Sequence, residues 1–381
     1  MTPSKNFQAP KVLLVSFSHF IHDVYTSFLS PLLPLIIEKL SLTLSQAGLL
    51  STVMQIPALA NPFIGLFADN RGLARWLVIL APSLTAIPMC FMGNATAYWQ
   101  LLALVFAAGI SVALYHVPAP VLVAHYAGNR KGRGMSFFMT GGEAARSVGP
   151  IFAVGAVQWM GLDHLYGVLP LALATSVILA FTLEKQEEKT QVRKNGSLKR
   201  AYAEVSHVLK PLTGILFARG FMHAAMGTFL TVYVERQTGN LWLSGAALAL
   251  YEGLGVAGVL CAGTLSDWMG RQRVLFWATV AAPLFVLGFV FSSGVLQVLA
   301  LCGAGFSVLS TTPVMLALIQ EHAKTNPAAG NGLFMMASFA IRSLAVVLVG
   351  AVGDGFGLNQ MFLFSALVGF LGLPFLLKLE K

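Results

Sequence analysis

The sequence GTLSDWMGRQR, Gly263–Arg273, has an earlier counterpart in GLFADNRGLAR, Gly65–Arg75. Both stretches have glycine at their first and eighth positions, aspartate at the fifth and arginine at the eleventh. The two aspartates, Asp69 and Asp267, are 198 positions apart in a chain of 381 residues. This repeat predicts that the second half of the chain is a copy of the first.

Two further pairs of sequences have nearly the same separation. FIHDVYTSFL, Phe20–Leu29, matches FMHAAMGTFL, Phe221–Leu230, and their histidines are 201 positions apart. The arginines of ARS and IRS, Arg146 and Arg342, are 196 positions apart. One pair of apolar segments can match by chance, but three pairs at nearly one separation indicate an internal duplication.

The composition predicts a membrane protein. Hydrophobic residues make up 56% of the chain and charged residues only 10%, and the mean hydropathy is +0.75. Apolar runs of about 20 residues cross a bilayer as helices, because a helix satisfies its own backbone polar groups. We therefore predict an all-α polytopic membrane protein. Its three cysteines lie in apolar runs and are expected to be core residues, so no disulfide framework, metal centre or cofactor is predicted.

We count twelve transmembrane helices, arranged as two pseudo-symmetric six-helix bundles. A charged stretch divides them, so the predicted domains are an N-terminal bundle at 1–183, a cytoplasmic linker at 184–210 and a C-terminal bundle at 211–381. The predicted spans are at about 12–37, 43–67, 75–93, 97–127, 134–159, 165–183, 211–234, 242–266, 273–292, 294–320, 330–353 and 358–377.

The positive charge of the chain predicts its orientation in the membrane. The net charge is +9, and 19 of the 24 Lys and Arg residues fall at the two termini and in the loops on one side of the predicted spans. By the positive-inside rule that side is cytoplasmic, so both termini are expected in the cytoplasm of a bacterial-type inner membrane. The basic balance therefore reflects topology and does not predict nucleic-acid binding.

The repeated loop resembles the signature of the major facilitator superfamily, G-x-L-x-D-x-x-G-R-[RK]-[RK], with Gln272 at one basic position. The opening SFSHFIHDVYTSFLSPLLPLI and the motifs YHVPAP and GGEAARSVGP are similar to those of the fosmidomycin-resistance-like exporters. The resemblance implies alternating access between two bundles and export of drugs or other small organic compounds in exchange for protons. It also implies a gating role for the loop residues Asp69, Arg75, Asp267, Arg271 and Arg273.

Polar residues form a stripe in the first predicted span. Ser16, His19, Asp23, Thr26 and Ser30 are spaced by three and four residues, which places them on one face of a helix. Asp23 is about 11 residues, or roughly 17 Å, from the cytoplasmic end of the span. A charge facing lipid costs at least about 2.5 kcal/mol, so this stripe is expected to line a central, wet cavity near the membrane midplane.

The other intramembrane charges predict the rest of that cavity. They lie in spans that line the cavity in this superfamily, and acids and arginines are equal in number. The predicted proton-coupling residues are Asp23, Glu143 and Glu252. The predicted substrate-binding residues are His19, His22, Tyr25, Tyr115, His116, Arg146, Arg219, His223, Tyr251 and Arg342.

Three transport functions fit these residues. The first is proton-coupled efflux of a small anionic or zwitterionic organic compound, since guanidinium groups bind carboxylate, phosphate and phosphonate through paired donors. The second is proton-coupled import of an organic acid or sugar derivative. The third is divalent-metal transport through His19, His22, Asp23 and His223. An enzyme is not predicted, because the sequence has no nucleophile motif, phosphate-cradling loop or cofactor fingerprint. The chain is expected to act as a monomer on a small-molecule substrate and protons.

Overall fold

The computed structural model of the protein describes residues 7–61, 64, 73–128, 130–184, 198–323 and 327–379. These residues contain helices and no strand, as predicted. The α-helices of the first half are α1 (Ala9–Thr26), α2 (Leu29–Leu40), α3 (Leu44–Gln55), α4 (Ala74–Cys90), α5 (Tyr98–His116), α6 (Pro118–Ala127), α7 (Lys131–Met160) and α8 (Leu169–Thr182). Those of the second half are α9 (Leu198–Ala224), α10 (Leu230–Thr238), α11 (Leu241–Met269), α12 (Arg271–Phe291), α13 (Gly294–His322), α14 (Pro327–Phe356), α15 (Leu358–Gly369) and α16 (Leu373–Leu376).

Ten helical segments within the described residues are long and apolar enough to cross a membrane. The ten do not include predicted spans 43–67 and 134–159. The second of these is α7, an unbroken helix of 30 residues whose four charged side chains lower its hydropathy. The first begins as α3 and continues through a 3-10 turn at Ile56–Ala60 toward residues that lie outside the described part of the chain. Both segments therefore remain candidates for membrane-spanning helices. The fold class with twelve helices is consistent with the helices found.

The chain divides into two compact units. Unit 1 comprises Met1–Ser41 and Val53–Val192, and unit 2 comprises Leu42–Thr52 and Arg193–Lys381. Residues 198–210 of the predicted linker form the beginning of α9. The predicted domain boundaries themselves stay predictions.

In unit 1, α1 and α7 approach closely because α7 has glycines where the two helices meet. A Cβ atom at Gly141 would lie 2.3 Å from the carbonyl oxygen of Ser16, and one at Gly149 would lie 1.8 Å from the hydroxyl of Ser27. Glycine alone fits such a contact, since real Cβ atoms do not approach within 3.0 Å. This contact brings the middle of α7 against the polar stripe of α1.

Gly141→Ala is expected to lower the free energy of unfolding by about 1–3 kcal/mol, because the new methyl group meets backbone that cannot rotate away. The measurement is the melting temperature of the purified protein in detergent. Gly263→Ala is the matched control, since Gly263 is also helical and a Cβ atom added there would have no neighbouring atom within 4 Å. Equal melting temperatures for the two variants would contradict the close α1–α7 contact.

In unit 2, the start of α3 is held by Asp354 near the end of α14. The Asp354 carboxylate accepts hydrogen bonds from the backbone N–H of Leu44 at 2.6 Å and from that of Ser45 at 2.8 Å, and also from the Ser45 hydroxyl at 2.5 Å. A carboxylate in this position satisfies the unpaired N–H groups of a helix N-terminus and interacts favourably with its dipole. Gly350 permits the approach, because a Cβ atom there would lie 2.6 Å from the Leu44 carbonyl oxygen.

Candidate functional site

Asp23 is the centre of a buried cluster in unit 1 and is only 9% exposed. Its Oδ1 atom lies 2.8 Å from Nδ1 of His22 and 3.6 Å from Nε2 of His116. Its Oδ2 atom lies 3.3 Å from Nε2 of His19. The cluster therefore contains one carboxyl group and three imidazoles, from α1 and from the end of α5.

Aromatic side chains hold the three imidazoles in place. The His22 ring stacks on Tyr115 with a centroid distance of 4.4 Å, and the His19 ring stacks on Phe138 at 4.0 Å. The Tyr115 hydroxyl lies 2.8 Å from that of Ser18, which ties α5 to α1. Tyr115 was predicted to bind substrate, but the structure shows it fully buried and packed behind the histidines. Its predicted role stays a prediction.

Hydrogen bonds fix the tautomers of His19 and His116. Nδ1 of His19 lies 2.8 Å from the carbonyl oxygen of Phe138, and Nδ1 of His116 lies 3.0 Å from that of Val112. A carbonyl oxygen only accepts, so both Nδ1 atoms carry hydrogen. Their Nε2 atoms then face each other at 3.3 Å. Two neutral rings would bring two lone pairs together there, so this contact requires an added proton.

The same reasoning applies to His22. The Ser111 hydroxyl donates to the Ala81 carbonyl oxygen at 3.1 Å, and the Thr85 hydroxyl donates to Ser111 at 2.7 Å. In this arrangement the Thr85 oxygen, 3.0 Å from Nε2 of His22, accepts from that nitrogen; with both hydroxyls turned the other way, Ser111 would donate to Thr85 and Thr85 to Nε2. With its hydrogen on Nε2, a neutral His22 presents a lone pair to Asp23. In the first arrangement the His22–Asp23 contact holds an added proton, whereas in the second a neutral His22 donates from Nδ1 to ionised Asp23.

The remaining predicted residues of unit 1 lie close to this cluster or beside it. Glu143 and Arg146 form an ion pair within α7, and their side chains are 17% and 42% exposed. A Cβ atom at Gly142 would lie 3.2 Å from Oδ2 of Asp23, so this part of α7 borders the cluster directly. Tyr25 is buried, and its hydroxyl donates to the carbonyl oxygen of Val168 at 2.5 Å.

The predicted residues of the second half lie in the helices of unit 2. Arg219 donates from Nε to the carbonyl oxygen of Val308 at 2.6 Å and lines a cavity of about 10 Å³ between helices of the unit. Tyr251 and His223 are buried, while Glu252 and Arg342 are partly exposed. Their convergence with Asp23 on one cavity stays a prediction.

The predicted gating residues make local contacts. Arg271 pairs with Asp267 at 2.5 Å and with Glu321 at 3.1 Å, so it joins the ends of α11 and α13. Arg75 donates to the carbonyl oxygens of Ala180 and Leu183 at the end of α8. Arg273 is exposed, and Asp69 lies outside the described residues.

Asp267→Asn is expected to change the population of the cytoplasm-accessible state by at most about five-fold, because the carboxylate it removes is 68% exposed and exposed ion pairs contribute about 0.2–1 kcal/mol. The measurement is thiol labelling of a single engineered cysteine at the C-terminal end of α11, near Met269, in an otherwise cysteine-free chain. Faster labelling is the predicted direction. Unchanged labelling would remove the gating role of Asp267.

Sequence reasoning missed Thr85 and Ser111, which lie in α4 and α5 and complete the hydrogen bonding of His22. Both are buried, at 0% and 2% exposure. The available signal was weak, because serine and threonine inside a transmembrane helix commonly bond to their own backbone. The two hydroxyls meet only after α4 and α5 have packed.

This geometry changes which residues could bind a divalent metal together. Both ring nitrogens of His22 are occupied, by Asp23 and by Thr85. Among the described residues, one group of ligand atoms lies close enough to share an ion, within 4.8 Å of one another, and it consists of His19, Asp23 and His116. Metal transport through the four predicted residues stays a prediction.

Comparison with known proteins identifies the class. Residues 15–346 match the family model of the Major Facilitator Superfamily. The chain is 24% identical to the fosmidomycin resistance protein of Escherichia coli over 94% of this chain and 90% of that protein. It is 26% identical to the multidrug resistance protein MdtG of Proteus mirabilis over 98% of this chain and 96% of that protein.

Solved structures show the same fold. A bacterial homolog of the human lysosomal transporter Spinster, in an inward-facing and occupied conformation, aligns with a TM-score of 0.85 at 14% identity, covering 99% of this chain and 98% of that one. The nucleoside transporter NupG aligns with a TM-score of 0.76 at 14% identity, covering 97% and 99%. The protein is therefore a multi-pass membrane protein and a secondary transporter, and it is not an enzyme. It belongs to the Major Facilitator Superfamily, as the repeated loop predicted.

Proposed function

We propose that this transporter exports a small anionic or zwitterionic organic compound in exchange for protons, with both termini in the cytoplasm. The observation that carries the proposal is the buried cluster of Asp23, His19, His22 and His116, in which the facing Nε2 atoms of His19 and His116 need a proton that neutral imidazoles do not supply. A secondary transporter must couple its substrate to an ion gradient, and this cluster is a place where protons bind.

The number of protons bound by the cluster explains how proton binding and substrate binding could be coupled. With Asp23 ionised and the three histidines neutral, the cluster has one negative charge, and each added proton makes its charge more positive by one unit. Such a change alters the attraction of the site for an anion. If the cluster opens to one side of the membrane and then to the other, proton affinity and substrate affinity change together, which is the requirement for coupled transport.

Arg146 supports an anionic substrate. It lies on α7, next to the part of that helix that borders Asp23, and its side chain is 42% exposed. A guanidinium group has five donors in a planar fork and binds a carboxylate, phosphate or phosphonate oxygen through charge-assisted hydrogen bonds. The name of the Escherichia coli relative, a resistance protein for the phosphonate fosmidomycin, agrees with this class of substrate.

The test has two stages. Thermal shift of the purified protein is measured with fosmidomycin, simple carboxylates, a quaternary ammonium compound and Zn²⁺, because a ligand of the folded state raises the melting temperature. Stabilisation by the cation or by Zn²⁺ and not by anions would overturn the anionic assignment.

The stabilising anion is then assayed in reconstituted vesicles with an imposed pH gradient. Antiport predicts that the anion accumulates on the acidic side, and collapse of the gradient with an ionophore should stop accumulation. Accumulation on the alkaline side would instead establish the import alternative, since a symporter moves substrate with the protons.

A further inference from the structure

We propose that Thr85 and Ser111 form a reversible hydroxyl chain that lets the buried His22–Asp23 pair release its proton. This inference rests on the proposed proton coupling and assigns two positioning residues to it. The two hydroxyls do not touch substrate. They act on the proton through the ring nitrogen of His22 that faces away from Asp23.

In the protonated state the chain points away from His22. Nε2 of His22 donates to Thr85, Thr85 donates to Ser111, and Ser111 donates to the carbonyl oxygen of Ala81. The titratable proton lies between Nδ1 of His22 and Oδ1 of Asp23, which are 2.8 Å apart. Every polar atom of the chain then has a partner.

Loss of that proton would leave a ring lone pair facing the carboxylate, beside a His22 ring that has no exposed surface. Reversal of the chain removes this conflict. Ser111 then donates to Thr85, and Thr85 donates to Nε2 of His22. In this arrangement the proton that the pair has lost in net terms is the one on Nε2, and the hydrogen that remains on His22 lies on Nδ1 and bonds to ionised Asp23. Each hydroxyl turns by rotation about one bond, so the reversal needs no movement of the backbone.

Other ionisable groups surround the His22–Asp23 pair and also affect its proton affinity. On α1 the neighbour is His19, and α5 adds Tyr115 and His116. α7 adds the Glu143–Arg146 pair, and α8 has no ionisable residue. α6 has His125 and Tyr126, whose charged neighbour is Lys11, and α4 contributes the hydroxyl of Thr85 to the pair. Variants of the two hydroxyls leave all of these groups in place.

The test is an infrared titration of the purified full-length protein. Bands that change with pH in the wild type and are lost in Asp23→Asn report the proton of the pair. Ser111→Ala removes the acceptor of the Thr85 hydrogen and frees it to bond permanently to His22. The midpoint of these bands is expected to move by about one pH unit toward acid, a tenfold change in proton affinity. Ser111→Cys should move it in the same direction by less.

Thr85→Ser is the matched control, because it keeps the hydroxyl and should keep the wild-type midpoint. Melting temperatures establish that each variant is folded. A wild-type midpoint in folded Ser111→Ala and Ser111→Cys would overturn the hydroxyl chain while leaving proton coupling intact. Absence of any titrating band that depends on Asp23 in the wild type would overturn the proposed coupling itself, and the chain with it.

Discussion

Asp23→Asn is expected to reduce pH-gradient-driven flux by about 100-fold, at the upper end of the usual range of coupling between two sites. Asparagine keeps the size of the side chain but cannot gain or lose a proton at neutral pH. The amide N–H can still donate to Nδ1 of His22, so the neighbouring hydroxyl chain keeps its bonds. Binding of the substrate, measured by thermal shift, should change much less than flux because the guanidinium of Arg146 remains.

The matched control for this variant is Asp163→Asn. Asp163 is also an ion-paired aspartate, with Lys39, but its side chain is 62% exposed and it lies in the first turn of the short helical segment Leu162–Val168. Its replacement should leave flux unchanged. If Asp23→Asn transports at the wild-type rate under an imposed gradient, Asp23 is not the coupling residue, and Glu143 or Glu252 becomes the next candidate.

Arg146→Ala is expected to weaken the binding of an anionic substrate by about 10- to 100-fold, the loss that follows when charge-assisted hydrogen bonds worth about 1.5–3 kcal/mol are removed. Arg146→Lys should give a smaller loss, because an ammonium group keeps the charge but not the paired donors. The measurement is the dissociation constant fitted to the rise of the melting temperature with substrate concentration.

The unpaired Glu143 left by Arg146→Ala is a separate source of lost stability. The double variant Glu143→Gln, Arg146→Ala removes that charge, so it should regain stability without regaining affinity. Arg236→Ala is the control, since Arg236 is exposed in α10. Wild-type affinity in the double variant would exclude Arg146 from the substrate site.

The sequence was informative where a single helix decides the arrangement. His19 and Asp23 are four residues apart, and that spacing alone predicted two side chains on one helix face. The duplicated loop likewise predicted the superfamily, because its glycines, aspartate and arginines occur at fixed positions. The contact of His116 with Asp23 was harder to predict, since it depends on how α5 packs against α1.

Pattern reasoning was least informative where small residues decide the packing. Gly141 and Gly142 read as parts of an apolar helix, but they set the distance between α1 and α7 and therefore the position of Arg146. The assignment of Leu42–Thr52 to unit 2 could not be predicted either, because span counting assigns each helix to the half in which it is encoded. That assignment depends on hydrogen bonds to Asp354, which in the sequence is one acidic residue at the end of a predicted span.

The contact between Asp354 and the start of α3 has a consequence for biosynthesis. The residues Leu44 and Ser45 leave the ribosome about 310 residues before their partner Asp354. At about 5–20 residues per second, that interval lasts roughly 15–60 s. During this time the first turn of α3 lacks the carboxylate that later accepts hydrogen bonds from its N–H groups. The hydrogen bonds at the start of α3 can therefore form only after most of the second half has been made.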